Sequence, residues 1–128
     1  MPFVRVAALA PSLRPEQISR LQTEITDLME RVLDKVGDLT SVLVEQPGAG
    51  SWSIGRAAMR SAVHVDATVT KGTNSDEQKA RFIGDTMMLL KDVFGPDLNP
   101  ASYVVVTEVP AQSWGYDGLT QESRRLRI

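Results

Sequence analysis

ASYVVVTEVPAQSWGYDG, residues 101–118, repeats what TSVLVEQPGAGSWSIG, residues 40–55, has already said. Each begins as a β-branched, apolar run that reads as a strand. Each run is halted by a proline, Pro47 or Pro110, because proline cannot donate to a strand ladder. Each then passes through small residues into Ser-Trp and a closing glycine. Such agreement within one chain points to a duplicated unit.

The units extend upstream. FVRVAAL (Phe3–Leu9) alternates Arg5 with apolar residues and reads as a strand. SLRPEQ follows, with Pro15 suited to the first helical position and Glu16 to the positive end of the helix dipole. Ile18, Leu21, Ile25, Leu28, Val32 and Leu33 recur at helical spacing. This helix is predicted to end near Val36-Gly37, with Lys35 in its last turn and Gly37 as the C-cap. In the second half AVHVDATV is the strand, and Ser75 with Gln78 can form a capping box. Ala80, Ile83, Met87, Leu90 and Phe94 are predicted to line the buried helix face, with Met87 and Met88 packing in the core.

The landmarks agree at an offset of about 61 to 63 residues: Glu16-Gln17 with Glu77-Gln78, Ser41 with Ser102, Trp52 with Trp114, Gly55 with Gly118. A β-α-β unit with parallel strands needs a right-handed crossover, which leaves its helix on one sheet face. The predicted fold is therefore α/β (α+β): tandem β-α-β units, about 2–58 and 61–120, forming one domain over 1–128 with a short C-terminal tail. Its four-stranded sheet carries two helices on one face. The other face is bare, yet YVVVTEV is apolar at both parities, so copies of the same chain are expected to cover it.

Composition narrows the function classes. Of 128 residues, 42% are apolar and 23% charged, as in ordinary globular domains. The formal net charge of -2 gives no reason to expect nucleic acid or an anionic membrane as partner. The absence of cysteine excludes disulfides and thiolate chemistry. No apolar run reaches the roughly 20 residues of a membrane span, and no signal-peptide pattern opens the chain, so a cytoplasmic location is expected. His64 is the only histidine, and Asp66 beside it does not make a metal-ligand set; neither metal nor cofactor is expected.

Pro2, DLTSVLVEQP, SWSIG and EVPAQSWGYDG together resemble the tautomerase superfamily, in its fused form of two 4-oxalocrotonate tautomerase-like units joined head to tail. The resemblance covers essentially the whole chain and implies a tautomerase/MIF-like fold assembled as a homotrimer. The stretch from EQPGAG to KGTNSDEQK is also similar to the cis-3-chloroacrylic acid dehalogenase branch. That branch implies two carboxylate-holding arginines, whose places fall here on Lys71 and Asn74. Its first-helix histidine falls on Met29. Its water-activating glutamate falls on Tyr116, beside Asp117. The first-helix arginine of the small tautomerases aligns with Arg14, and their second-strand arginine falls on Leu43. Their active-site aromatic corresponds to Trp52 and Trp114.

The resemblance implies catalysis by Pro2. Once Met1 is removed, Pro2 is a chain-terminal secondary amine. An α-amine has a pKa of roughly 7.7 to 8. Apolar burial near cations disfavours its protonated form and yields a base near neutral pH. The implied reaction is cofactor-free keto-enol tautomerisation of small 2-oxo or 2-hydroxydienoate carboxylates. The alternative is a dehalogenase or decarboxylase of a three-carbon acid on the same scaffold, or a non-catalytic trimer in which Pro2 is incidental. Lys71 at a strand end is placed to clamp a carboxylate, with Arg14 at the start of the first helix as a second cation. Arg56 and Arg60 flank the loop between the units and are candidate cations at an inter-chain site. Asn74 is placed to hydrogen-bond substrate, Trp114 to wall a pocket, and Trp52 to pack between subunits. ESRRLRI at the C-terminus is expected to lie across a neighbouring chain or in solvent.

Overall fold

Strand β1 (Phe3–Leu9) starts the chain in the computed structural model, which describes residues 2–125. The chain continues through α1 (Pro15–Arg31), a 3-10 turn (Gly37–Leu39), β2 (Ser41–Glu45), and a short hairpin of β3 (Ser53–Ile54) and β4 (Ala57–Ala58). The second half repeats the order: β5 (Ala62–Thr70), α2 (Asp76–Phe94), β6 (Tyr103–Val109), a 3-10 turn (Ala111–Ser113), and a hairpin of β7 (Gly115–Tyr116) and β8 (Leu119–Thr120). A short helix, α3 (Gln121–Arg125), follows; Leu126, Arg127 and Ile128 of the basic tail, like Met1, lie outside the described residues.

The main sheet has the order β2-β1-β5-β6. β1 pairs parallel with β2, from Phe3 opposite Ser41 to Ala7 opposite Glu45. β5 pairs parallel with β6, from His64 opposite Tyr103 to Thr70 opposite Val109. The two units join antiparallel through β1 and β5, where Arg5 faces Asp66. Those two residues are also 61 positions apart, so an approximate two-fold axis passes between them. Under it Pro2 corresponds to Val63.

Alternation does the packing. Val4, Val6 and Ala8 of β1, with Val63, Val65, Ala67 and Val69 of β5, point to the helices and are fully or almost fully buried. They meet Leu21, Ile25, Leu28 and Met29 of α1 and Phe82, Leu89 and Leu90 of α2. Each large apolar side chain so buried contributes about 1.5–3 kcal/mol before entropy is counted. The opposite face carries Phe3, Leu43 and Tyr103, all exposed, together with an Arg5–Glu45 ion pair at 2.9 Å.

Four expectations are corrected. First, α1 stops at Arg31, not near Gly37. Asp34 takes a left-handed φ of 58°, Lys35 lies beyond the helix, and Gly37 opens the 3-10 turn. Second, the buried stripe of α2 is Phe82, Thr86, Leu89, Leu90 and Val93, about one residue away from the predicted face. Ala80 and Ile83 are exposed, while Met87 and Phe94 pack at the margin of the core. Third, Met88 is 70% exposed and lies outside the core. Fourth, the hairpins align so that Gly55-Arg56 matches Asp117-Gly118, pairing Gly55 with Asp117. Both two-residue turns have positive φ throughout (58° and 72°; 49° and 79°), the conformation whose twist suits tight hairpins. The Ser75–Gln78 capping box is present as expected. Among the described residues no helix is long and apolar enough to cross a membrane.

Candidate active site

The start of β1 lies against the start of β2 and the end of β5, because Phe3 pairs with both Ser41 and Thr68. Pro2 is buried at this edge, and its carbonyl accepts a hydrogen bond from the Ser41 amide at 3.2 Å. β6 ends at the same edge, Thr70 pairing with Val109, and the Lys71 amide closes the strand ends by donating to the Val109 carbonyl. The side chain of Lys71 is exposed. The chain then returns through the second hairpin, where the Trp114 indole donates to the Thr70 hydroxyl at 3.2 Å. Parallel topology therefore brings Pro2, Lys71 and Trp114 to one end of the sheet.

Other polar groups gather there. Lys35, half-buried, donates to the Thr73 hydroxyl at 2.8 Å, and burial pushes its ammonium below the ordinary lysine range despite Asp34 and Glu108. Lys79 pairs with Glu108 at 3.0 Å and with Asp76 at 3.3 Å. The hydrogen bond from Lys79 holds the Glu108 carboxyl below the usual carboxylate range, aided by the Gly72 amide and the charge of Lys71. Asn74 spends both amide hydrogens inside the protein, on the Leu33 carbonyl at 2.8 Å and on Gln78 at 3.2 Å. It ties the loop after β5 to the segment after α1.

Arg14 and Arg56 lie elsewhere. Arg14 follows β1, at the far end of a seven-residue strand roughly 20 Å long. It caps α1 and pairs with Glu16 at 3.0 Å. Arg56 turns the first hairpin, which follows β2 and stands at that same far end. Within one chain neither reaches Pro2. Met29 is fully buried in the core. Tyr116 packs beneath the Arg124 guanidinium, 3.7 Å from the ring centre, and its carbonyl accepts from Arg124 at 2.7 Å. Among the described residues no group of three or more His, Cys, Asp or Glu side chains is placed to hold a metal.

Comparison with known proteins agrees with this architecture. Residues 62–124, the second unit, match the family described as tautomerase enzyme. No curated protein matches the sequence. Among solved structures, Pt0534 inactivated by 2-oxo-3-pentynoate superposes with a TM-score of 0.85 at 13% identity, over 95% of this chain and 98% of its own. N1, a member of the cis-3-chloroacrylic acid dehalogenase (cis-CaaD) family, gives 0.80 at 22% identity, over 92% and 82%. A wild-type fused 4-OT that forms an asymmetric trimer gives 0.83 at 20% identity, over 98% and 99%. The family match is confined to the second unit, while the whole chain shares the tandem β-α-β fold of the fused 4-OT and of N1.

Proposed function

We propose that the chain is a cofactor-free keto-enol tautomerase in which Pro2, freed of Met1, is the general base toward small 2-oxo or 2-hydroxydienoate carboxylates. The observation that carries this reading is the burial of Pro2 at the one sheet end that also gathers Lys71, half-buried Lys35 and the Trp114 ring. A neutral Pro2 nitrogen takes the proton from an enol hydroxyl and returns it to carbon, giving the ketone. Lys71 and Lys35 attract the substrate carboxylate, Trp114 walls the pocket, and the cations stabilise the dienolate as charge develops. Arg14 and Arg56 act in this scheme only from a neighbouring copy, and the amide of Asn74 holds the loop that carries Lys71.

The reading includes a homotrimer in the cytoplasm. A fused 4-OT of similar fold is a trimer, and the open sheet face here exposes Phe3, Leu43 and Tyr103. Hydration of a haloacrylate is the weaker reading. Met29 is locked in the core, and Tyr116 is covered by Arg124, so neither supplies the acid-base groups of that branch. Ultraviolet assays of 2-hydroxymuconate and phenylenolpyruvate ketonisation, run beside an intact-mass measurement, test the proposal. Turnover by protein lacking Met1 supports it, and inactivity of fully processed protein toward both overturns it.

A further inference from the structure

The approximate two-fold axis between Arg5 and Asp66 carries the Pro2 end of the sheet onto its opposite end, where β1 finishes and β5 begins. In place of Pro2 that end has Val63, an internal residue whose amide is no base; its N–H donates to the buried Ser102 hydroxyl at 3.0 Å. In place of Lys71 it has Ala10. A cleft of about 530 Å³ nevertheless lies there, within the range of small-molecule sites. Leu9, Pro11, Pro47, Ala58 and Met59 are among its apolar walls, and Arg60 is its one charged residue. Among the described residues Arg60 has no carboxylate partner. Asn99 fixes the Met59 side chain by donating to its sulfur at 3.5 Å.

We propose that this cleft is a second, non-catalytic site for a small apolar monocarboxylate, whose hydrocarbon lies against Met59 and Pro47 and whose carboxylate pairs with Arg60. The chemistry follows from the lining: an apolar cleft with a single guanidinium suits an anion at one end of a hydrophobic body, and no lining side chain offers a carboxylate, amide or hydroxyl to a cation or a sugar. The terminal amine is unique to the chain start, so this binding and the proposed turnover occupy opposite ends of one sheet.

The test uses trans-cinnamate, a carboxylate with no enol to convert, and the full chain labelled with 13C in its methionine methyl groups. Titration should move the Met59 resonance saturably and leave that of core-bound Met29 in place. Arg60→Ala should weaken the Met59 response about tenfold, the loss of one charge-assisted pair, with Arg60→Lys recovering part of it. Pro2→Ala should leave the response intact, which separates this site from the proposed turnover. A Met59 resonance that stays still, or shifts equally in Arg60→Ala, overturns the proposal. A Met59 shift in a protein without tautomerase activity would sustain this site and sink the reading of Pro2 instead.

Discussion

The indole of Trp114 donates to the hydroxyl of Thr70 across 3.2 Å, fastening the second hairpin to the last residue of β5. That bond helps to hold the hairpin beside Lys71, the next residue in the chain. Trp114→Phe keeps most of the ring and removes the donor. The variant should lose about 1 kcal/mol of stability, the net worth of one such bond, and should raise KM more than it lowers kcat. Chemical denaturation and steady-state ketonisation check this; wild-type KM in a destabilised variant would show that the bond supports the fold alone.

Two glycines should respond in opposite directions. A Cβ on Gly115 would fall 1.9 Å from the Leu119 carbonyl oxygen, so Gly115→Ala must force β7 and β8 apart. A loss of roughly 1–3 kcal/mol is expected, as for other overpacked sites. Gly84, inside α2, has open space where a Cβ would stand, and Gly84→Ala should stabilise by up to about 1 kcal/mol. Thermal melts of the two variants should shift on either side of wild type.

Glu108 makes stability depend on acid. Its carboxyl is held below the usual range by Lys79, so the ionised form favours the folded state. This contribution is present above the unfolded glutamate value of about 4.3 and is lost as pH falls through the lower folded value. Glu108→Gln should therefore melt below wild type at pH 7, and the gap should close toward pH 3. A gap that stays constant with pH would assign the difference to packing instead of charge.

The repeat, the strand and helix types, the capping box and the crowded end of the sheet are all legible in the sequence, because they rest on local patterns and on parallel topology. That topology also separates Arg14 and Arg56 from Pro2, since both follow strands that run away from it. Lys35 is harder to read. As a residue after an apolar helical run it looks like a cation for the helix dipole. Its place between α1 and the start of β2 puts it at the Pro2 end, but only the left-handed turn at Asp34 and the contact with Thr73, 38 residues on, fix its side chain there. The buried face of α2 is obscured because Ile83, Met87, Met88, Leu89 and Leu90 offer several overlapping apolar stripes. Packing on β5 and β6 chooses the one through Phe82 and Thr86.

The open sheet face predicts assembly. Leu43 is 41% exposed there, on the edge strand β2, and an acidic side chain at that place need not disturb the core. Light scattering should find the wild type as a trimer and Leu43→Glu as a folded monomer with unchanged circular dichroism. A wild-type monomer would leave the face without its proposed cover.

The proposed chemistry rests on one nitrogen, and the rate of 2-hydroxymuconate ketonisation by Pro2→Ala against wild type tests it most directly. Loss of a well-placed general base should lower kcat/KM by about 10²–10⁴-fold, with the fold intact by circular dichroism. Equal rates in the two proteins would remove Pro2 from the reaction.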